Sequence, residues 1–366
     1  MALTNWLDFA TQISTQGPVC QQSGRSNVSP KKRRRTQSVL GLIIFASAAY
    51  WSGSATSQAA APGQLSMRPR QVKAAPLWVF PGVGESSAPA DAARQEHLPG
   101  SYQSFTAAQL VNLRAAVDWF PAAHPPMPAA VRGDRGPAFA CGFCHLPEGV
   151  GRPENAVLAG MPFSYLSQQL HDMRSGARKL VNTHFIPGAL MLQVIRQTSD
   201  ADAEAAARYF SRLRYTKRVK VIEADRIPHP TARGFVYIFD KKRPRVPLGE
   251  RIIEGPDHPA RFAMRDPRTT YTAYVPIGSI ARGAALAKGN GVARPPCSLC
   301  HGPGLRGTSV GPPIAGHFPT YLFRQLYAFQ SGTREGTNAK LMKPIVADLS
   351  QRDLIDLAAY VGSLSL

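Results

Sequence analysis

The pentapeptides CGFCH at 141–145 and CSLCH at 297–301 share the pattern C-x-x-C-H and are the most informative stretches of the chain. Two cysteines at i and i+3 on a helical turn lie on one face, and the histidine follows at once. Of the five cysteines only Cys20 lies outside these motifs, so no pair remains for a structural disulfide. The motif residues are Cys141, Cys144, His145, Cys297, Cys300 and His301.

This pattern is the attachment sequence of c-type haem, in which each thiol joins a porphyrin vinyl group and the histidine binds the iron. The alternatives are a thioredoxin-like redox pair, or zinc bound by two C-x-x-C pairs. A zinc site needs about 15–20 residues between the pairs, far fewer than separate Cys144 from Cys297. A redox pair explains neither the histidine nor the duplication. We therefore predict two covalently bound haem c groups, with His145 and His301 as proximal iron ligands.

The sequence around the motifs repeats, which predicts two copies of one unit. At an offset of 156 residues, SGAR at 175–178 corresponds to SGTR at 331–334. After one shift of five residues, Met191 corresponds to Met342. The extra residues of the first copy lie in KLVNTHFIPGAL at 179–190, which we predict to be a loop.

Each unit is predicted to contain three helices, the first carrying C-x-x-C-H. Apolar residues at helical spacing predict the second over 162–176 and 318–331, and the third over 199–213 and 350–364. The third begins with Ser-x-x-Asp in both copies, at Ser199 and Ser350. This is the spacing of a capping box, with Asp in place of Glu.

A second axial ligand decides what a haem does, because methionine gives a high-potential electron-transfer site and an open position favours ligand chemistry. Met342 is the only methionine after the second motif. The first unit offers Met161, Met173 and Met191. Met173 lies on the apolar face of a helix, Met161 corresponds to His317, and Met191 corresponds to Met342. We predict Met191 and Met342 as the ligands, with Met161 and His317 as rivals.

The N-terminus has the order of a secretory signal: a basic run at 31–38, an apolar run at 39–51, and small residues at Ser57 and Ala59. The apolar run is short for a membrane span. We predict an N-terminal extension plus signal peptide over 1–59 and export to the periplasm, with an uncleaved membrane anchor as the alternative.

The net charge of +20 allows anionic lipid, nucleic acid or acidic proteins as partners, or only a solvated basic surface. Export and the lack of a nucleic-acid motif argue against nucleic acid. We expect redox protein partners, either acidic or membrane-bound oxidoreductases.

The pattern of C-x-x-C-H, then LAG, YL, QL and SGxR, then Met before S…D…AAY, resembles class I cytochromes c. Two tandem copies resemble the dihaem bacterial cytochromes of the cytochrome c4 type. The resemblance covers about 130–213 and 278–366. It implies two helical domains, His/Met haems, and electron transfer between membrane oxidoreductases and terminal acceptors in the periplasm.

We therefore expect a mainly α fold of two tandem cytochrome c-type domains, joined by a long insert that is partly β and partly irregular. The predicted parts are an extended N-terminal segment packing on the first domain (60–130), domain 1 (131–213), a basic connecting insert (214–277) and domain 2 (278–366).

The insert alternates apolar and polar residues at 219–224, 235–239 and 251–255, which predicts short strands. It is also basic, at 217–220 and 241–246. It is either a docking surface for an acidic partner or a strap that holds the domains. Because it separates the two units, the sequence does not predict close packing between them.

Three functions fit these features. The first is a soluble dihaem electron carrier with no substrate of its own. The second is an electron-accepting subunit of a periplasmic dehydrogenase or oxidase. The third, a dihaem peroxidase, needs one haem with an open distal side, and the similar patterns around both motifs argue against it.

Overall fold

The structure is a computed structural model that describes residues 74–82, 91–133, 138–291 and 294–366. The predicted signal segment within 1–59 lies outside the described residues. Among the described helices, none is both long and apolar enough to span a membrane. The fold is mainly helical, as predicted, with a smaller amount of sheet.

Short elements form the N-terminal segment. Strands β1 (Gln95–His97) and β2 (Ser104–Thr106) pair antiparallel, helix α1 covers Ala129–Arg132, and 3-10 turns lie at Leu77–Val79, Gln109–Val111 and Pro121–Ala123. Trp119 is 1% exposed, and its Nε1 donates a 2.7 Å hydrogen bond to the carbonyl of Met264 in the insert. Ala140, next to the first motif, donates its N–H to the carbonyl of Leu113 at 2.9 Å. The segment therefore packs on both the insert and the first motif.

The first repeat contains helices α2 (Cys141–His145), α3 (Phe163–Ser175), α4 (Ile186–Gln197) and α5 (Asp200–Arg212). The bounds of α3 and α5 agree with the prediction to within one residue at each end. Ser199 caps α5 by accepting a 3.1 Å hydrogen bond from the N–H of Asp202. The predicted loop at 179–190 is partly wrong, because α4 begins at Ile186. Pro187 lies in the first turn of α4, where its missing N–H costs no hydrogen bond.

The insert forms strands and one short helix. Its elements are β3 (Val219–Glu223), β4 (Arg226–Ile227), β5 (His229–Arg233), β6 (Val236–Asp240), β7 (Val246–Pro247), β8 (Ile253–Pro256), α6 (Pro259–Ala263) and β9 (Tyr271–Val275). In the main sheet, β9 lies between β3, to which it is parallel, and β8, to which it is antiparallel. The pairs β4–β7 and β5–β6 are antiparallel. Strands β3, β6 and β8 lie where the alternation predicts them.

The second repeat contains α7 (Ser279–Ala287), α8 (Cys297–His301), α9 (Pro319–Gln330), α10 (Ala339–Val346) and α11 (Gln351–Ser363), with a 3-10 turn at Pro303–Leu305. The bounds of α9 and α11 match the prediction as closely as those of their counterparts. Ser350 and Asp353 form the predicted capping box, in which each side chain bonds the backbone N–H of the other residue. In the second repeat, as in the first, the candidate methionine lies on a helix that the sequence pattern does not predict.

Helices α7 and α11 cross at close range. A Cβ on Gly283 would lie 2.0 Å from the carbonyl oxygen of Asp356, so only glycine allows this approach. The corresponding stretch of the first repeat contains Pro125, Pro126 and Pro128, which prevent a long helix and leave only α1. The two repeats therefore differ most at their N-terminal ends.

The sheet of the insert packs on the second repeat. Val219 and Tyr271 belong to the same buried core as Phe323 of α9 and Leu354 of α11. Below α9, Glu254 is 1% exposed and its Oε2 accepts a 3.0 Å hydrogen bond from the N–H of Thr320. Burial raises the pKa of Glu254 to about 7. These buried contacts support the interpretation of the insert as a strap.

The close crossing of α7 and α11 makes a first prediction. Gly283→Ala forces its Cβ against the backbone of α11, and we expect a loss of about 1–3 kcal/mol in the free energy of unfolding. Denaturant unfolding of the holoprotein, followed by circular dichroism, measures this loss. Gly82→Ala is the control, because nothing lies within 4 Å of its added Cβ. Equal losses of unfolding free energy in the two variants would contradict the close crossing of α7 and α11.

Buried Glu254 makes a second prediction, on pH. Its folded pKa of about 7 lies above the ordinary value near 4.3, so the folded state binds this proton more tightly than the unfolded state does. Stability from this group is present below about pH 4 and is lost as pH rises to about 7, by up to about 3 kcal/mol. We expect Glu254→Gln to flatten this fall in unfolding free energy, and Glu204→Gln, on the surface of α5, to leave it unchanged. Some slope remains in both variants, since burial also raises the pKa of Glu148 to about 7.

Candidate functional site

The two motif histidines are held in the same way. His145 Nδ1 lies 2.8 Å from the carbonyl oxygen of Ala156, and His301 Nδ1 lies 2.8 Å from that of Pro312. Ala156 and Pro312 also correspond at the offset of 156 residues. Donation by Nδ1–H leaves the lone pair of each Nε2 available, which is the usual arrangement of a metal-bound histidine. Burial lowers the pKa of both imidazoles, which keeps them neutral.

One cavity of about 550 Å³ contacts both motifs. Helices α2 and α8 each present their cysteines from a single turn. The motif residues that line the cavity are Cys141, Cys144, His145, Cys297, Cys300 and His301. All six cysteines and histidines predicted from the sequence therefore come together around one continuous space.

The methionines lie across the same cavity. Met191 on α4 and Met342 on α10 both line it, as do Met161 and Met173. Met161 is 5% exposed and packs in the apolar core of the first repeat.

His317, the rival ligand in the second repeat, also lines the cavity and is 3% exposed. Its ring packs edge-on against Tyr215, with 5.1 Å between centroids. Burial lowers the pKa of His317 to about 4. Each repeat therefore brings its predicted methionine and one rival side chain to the cavity.

The two repeats contact each other directly through their matching SGxR segments. Arg178 donates to Oε1 of Gln169 at 3.0 Å within its own repeat, and to Oε1 of Gln325 at 2.8 Å in the other. Arg334 does the reverse, donating to Gln325 at 3.2 Å and to Gln169 at 2.7 Å. The backbone N–H of Lys179 adds a 2.7 Å bond to the carbonyl of Thr333. The insert thus does not prevent close packing of the repeats.

The two arginines at the contact between the repeats are suited to binding the carboxylates of a haem. Arg334 is 6% exposed and Arg178 is half-buried, both line the cavity, and within the described residues neither forms an ion pair with a carboxylate. A buried cation needs an anionic or hydrogen-bonding partner, and each haem carries two propionate carboxylates. With the oriented histidines and the paired cysteines, these guanidinium groups make a site whose chemistry fits haem c.

Some residues that shape the site carry little or no functional signal in the sequence. Arg178 and Arg334 belong to the SGxR segments, which recur in both copies. This recurrence does not show that the two segments contact each other. Arg265, whose guanidinium carbon lies 3.3 Å from the ring centroid of Phe143 in the first motif, had no signal in an ordinary stretch of the insert.

The known proteins that are similar to this chain include cytochromes and an electron acceptor. A cytochrome c family profile matches residues 280–365. Cytochrome c-554(548) of Halomonas halodenitrificans is 40% identical over 68 residues, which are 18% of this chain and 82% of that protein. Cytochrome c4 of Pseudomonas aeruginosa is 26% identical over 231 residues, 62% of this chain and 85% of that protein. The thiosulfate dehydrogenase electron acceptor of Thiomonas intermedia is 25% identical over 232 residues, 63% of this chain and 80% of that protein.

Two C-x-x-C-H helices with oriented histidines around a shared cavity define a protein that binds two haem c groups covalently. The relatives are cytochromes and an electron acceptor. The chain belongs to the cytochrome c family, as a dihaem class I c-type cytochrome.

The interface makes a third prediction. Arg178→Gln removes the charged hydrogen bonds to Gln169 and Gln325, and we expect it to lower the unfolding free energy of the holoprotein by about 1.5–3 kcal/mol. Lys179→Gln is the matched control, because this exposed neighbour loses the same charge without those bonds. Denaturant titration followed by circular dichroism compares them, and equal stability of the two variants would show that the network contributes nothing.

Proposed function

We propose that the protein carries single electrons between redox partners in the periplasm, through haems ligated by His145 with Met191 and by His301 with Met342. The observation that supports this most strongly is the shared cavity, which both ligand pairs line. The proposed domain boundaries are 131–213 and 278–366. The apolar core centred on α5 supports the first range, and the core centred on α11 supports the second but also includes Val219 and Tyr271 of the insert.

Bound haem supplies the Fe(III)/Fe(II) couple, and the function is electron transfer rather than catalysis of bond making. The chain attaches the group through its four motif cysteines. The carbonyls of Ala156 and Pro312 hold the imidazoles in the orientation and tautomer that ligation by Nε2 requires. A methionine thioether as the second ligand raises the reduction potential and leaves no open position for oxygen or peroxide.

Arg178 and Arg334 are the residues we expect to hold haem propionates at the contact between the repeats. Their side chains are already fixed by Gln169 and Gln325, so little side-chain entropy is lost when they bind an anion. Since both arginines line one cavity with both motifs, electrons can pass between the two haems inside the chain.

A second candidate function is an electron-accepting subunit of a dehydrogenase. It is favoured by the relative from Thiomonas intermedia, whose name describes it as a thiosulfate dehydrogenase electron acceptor. The haem chemistry is the same in both cases and only the stability of the complex differs. Co-purification from periplasmic extract separates them, because a freely diffusing carrier leaves no stable partner.

Redox titration with optical and EPR spectroscopy tests the proposed ligation. We expect two low-spin, six-coordinate haems, each with a methionine–iron charge-transfer band. We expect Met191→Ala and Met342→Ala each to remove the band of one haem and to lower its potential, since histidine–methionine ligation raises it.

Met173→Ala is the control for these variants, because Met173 lines the same cavity but is not a proposed ligand. A band that survives Met191→Ala and disappears in Met161→Ala would move the assignment to Met161. A high-spin haem that binds carbon monoxide in the unaltered protein would contradict the carrier function and favour a peroxidase.

A further inference from the structure

The two motifs differ in how much of their surroundings meets solvent. Every residue of 141–157 is buried or half-buried. The stretch 297–313 corresponds to it position by position, but much of it is exposed. Its exposed residues are Ser298, Leu299, Pro303, Gly304, Arg306, Thr308, Ser309 and Val310. Since the two stretches share one local fold, the difference comes from what the rest of the chain packs on them.

The insert covers the first motif from one side. The buried guanidinium of Arg265 stacks on Phe143 and donates to its carbonyl at 2.8 Å, while its Nε donates to the carbonyl of Leu110 at 2.9 Å. Arg152 lies 3.6 Å above the ring centroid of Phe262 in α6. These stacked contacts fix the insert on the residues that surround the first haem site.

The N-terminal segment covers the same motif from another side. A Cβ on Gly142 would lie 2.9 Å from the Cβ of Ala116 in this segment. The backbone of the motif is therefore in direct contact with this segment. Arg265 and Ala116 both lie outside the repeat, so the repeat itself supplies no equivalent cover for the second motif.

Three apolar side chains stand exposed around the second motif. Leu299, Val310 and Leu341 are 67%, 57% and 56% exposed, and we call them the second-motif rim. Val310 and Leu341 line the cavity beside Cys297 and Cys300. Their counterparts in the first repeat, at Phe143, Glu154 and Leu190, are all less than 9% exposed.

The charge around this rim is mainly positive, and the exposed Glu335 is neutralised by its ion pair with Lys343. No Asp or Glu occurs anywhere in 288–334. Lys288, Arg306 and Lys340 are exposed, and none of them forms an ion pair within the described part of the chain. Lys340 precedes rim residue Leu341 directly, and Arg306 lies in the exposed loop between the other two rim residues. An apolar centre flanked by unpaired cations is complementary to an apolar patch flanked by carboxylates.

We propose that the second-motif rim is the docking surface for a redox protein with a carboxylate-flanked apolar patch, and that electrons enter and leave the chain there. This rests on the proposed electron-transfer function. The apolar side chains exclude water from the contact, and the cations steer the partner's approach. A second copy of the chain is disfavoured as the occupant, because it would bring the same positive charges to the contact.

Gold nanoparticles coated with mixed carboxylate and methyl groups are the probe, and binding of the holoprotein is measured at low salt. We expect Arg306→Glu/Lys340→Glu to weaken binding by about tenfold or more. The control, Lys241→Glu/Lys242→Glu in the insert, changes net charge equally and should weaken binding less than twofold. We also expect Leu299→Ser to weaken binding to the mixed coating more than to a purely carboxylate coating.

A footprint gives an independent readout. Acetylation of the bound holoprotein, read by mass spectrometry, should spare Lys288 and Lys340 and modify Lys241 and Lys242. Equal weakening by both double variants, or the reverse footprint, would overturn the proposal. So would tighter rim-dependent binding to phosphatidylglycerol vesicles, or rim-dependent self-association in sedimentation.

Haem content keeps this test separate from the proposed function. Each variant is used only after spectra show the same two haems as the unaltered protein. If the unaltered holoprotein lacks two low-spin haems, the electron-transfer proposal itself fails. If the haems are intact and the rim substitutions leave nanoparticle binding unchanged, only the docking proposal fails.

Discussion

The arrangement of the molecule depends on the reciprocal bonds of Arg178 and Arg334. Each guanidinium bonds the glutamine of its own repeat and that of the other, so each arginine depends on both repeats for its hydrogen bonds. Because the arginines also line the cavity, the contact that joins the repeats is also part of both haem sites. Holding the two proposed haems near each other and holding the two repeats together therefore depend on the same residues.

The two copies of the repeat have different surroundings in the folded chain. The repeat supplies the same histidine bond, the same motif helix and a matching methionine in each half. The parts outside the repeat then break this symmetry, since Arg265 of the insert and Ala116 of the N-terminal segment both pack on the first motif. Duplication thus provides two redox sites, and the added segments make them different.

The sequence predicted the features that depend on local sequence pattern. Ser199 and Ser350 marked two helix starts, and apolar spacing placed α3 and α9 to within one residue. It missed α4, because Pro187 and Gly188 are typical of loops, and it missed α10, because Pro344 inside this helix lowers its helix propensity. Contacts between distant segments could not be predicted. Nothing in the residues around Arg265 indicates that it lies on Phe143, and recurrence of SGxR identifies a repeat without showing that its copies touch.

Parallel pairing of β3 with β9 has a consequence for how the chain can be altered. The chain leaves the first repeat along β3 and enters the second along β9, and these strands are neighbours in one sheet. Residues 224–270 therefore form a crossover between two parallel neighbours, and β8 within this crossover belongs to the same sheet. Arg265 and Phe262, which cover the first motif, lie inside this excursion, whereas Arg178 and Arg334 lie outside it. A shorter crossover that keeps β8 therefore changes access to the first site, while the contact between the two repeats is kept.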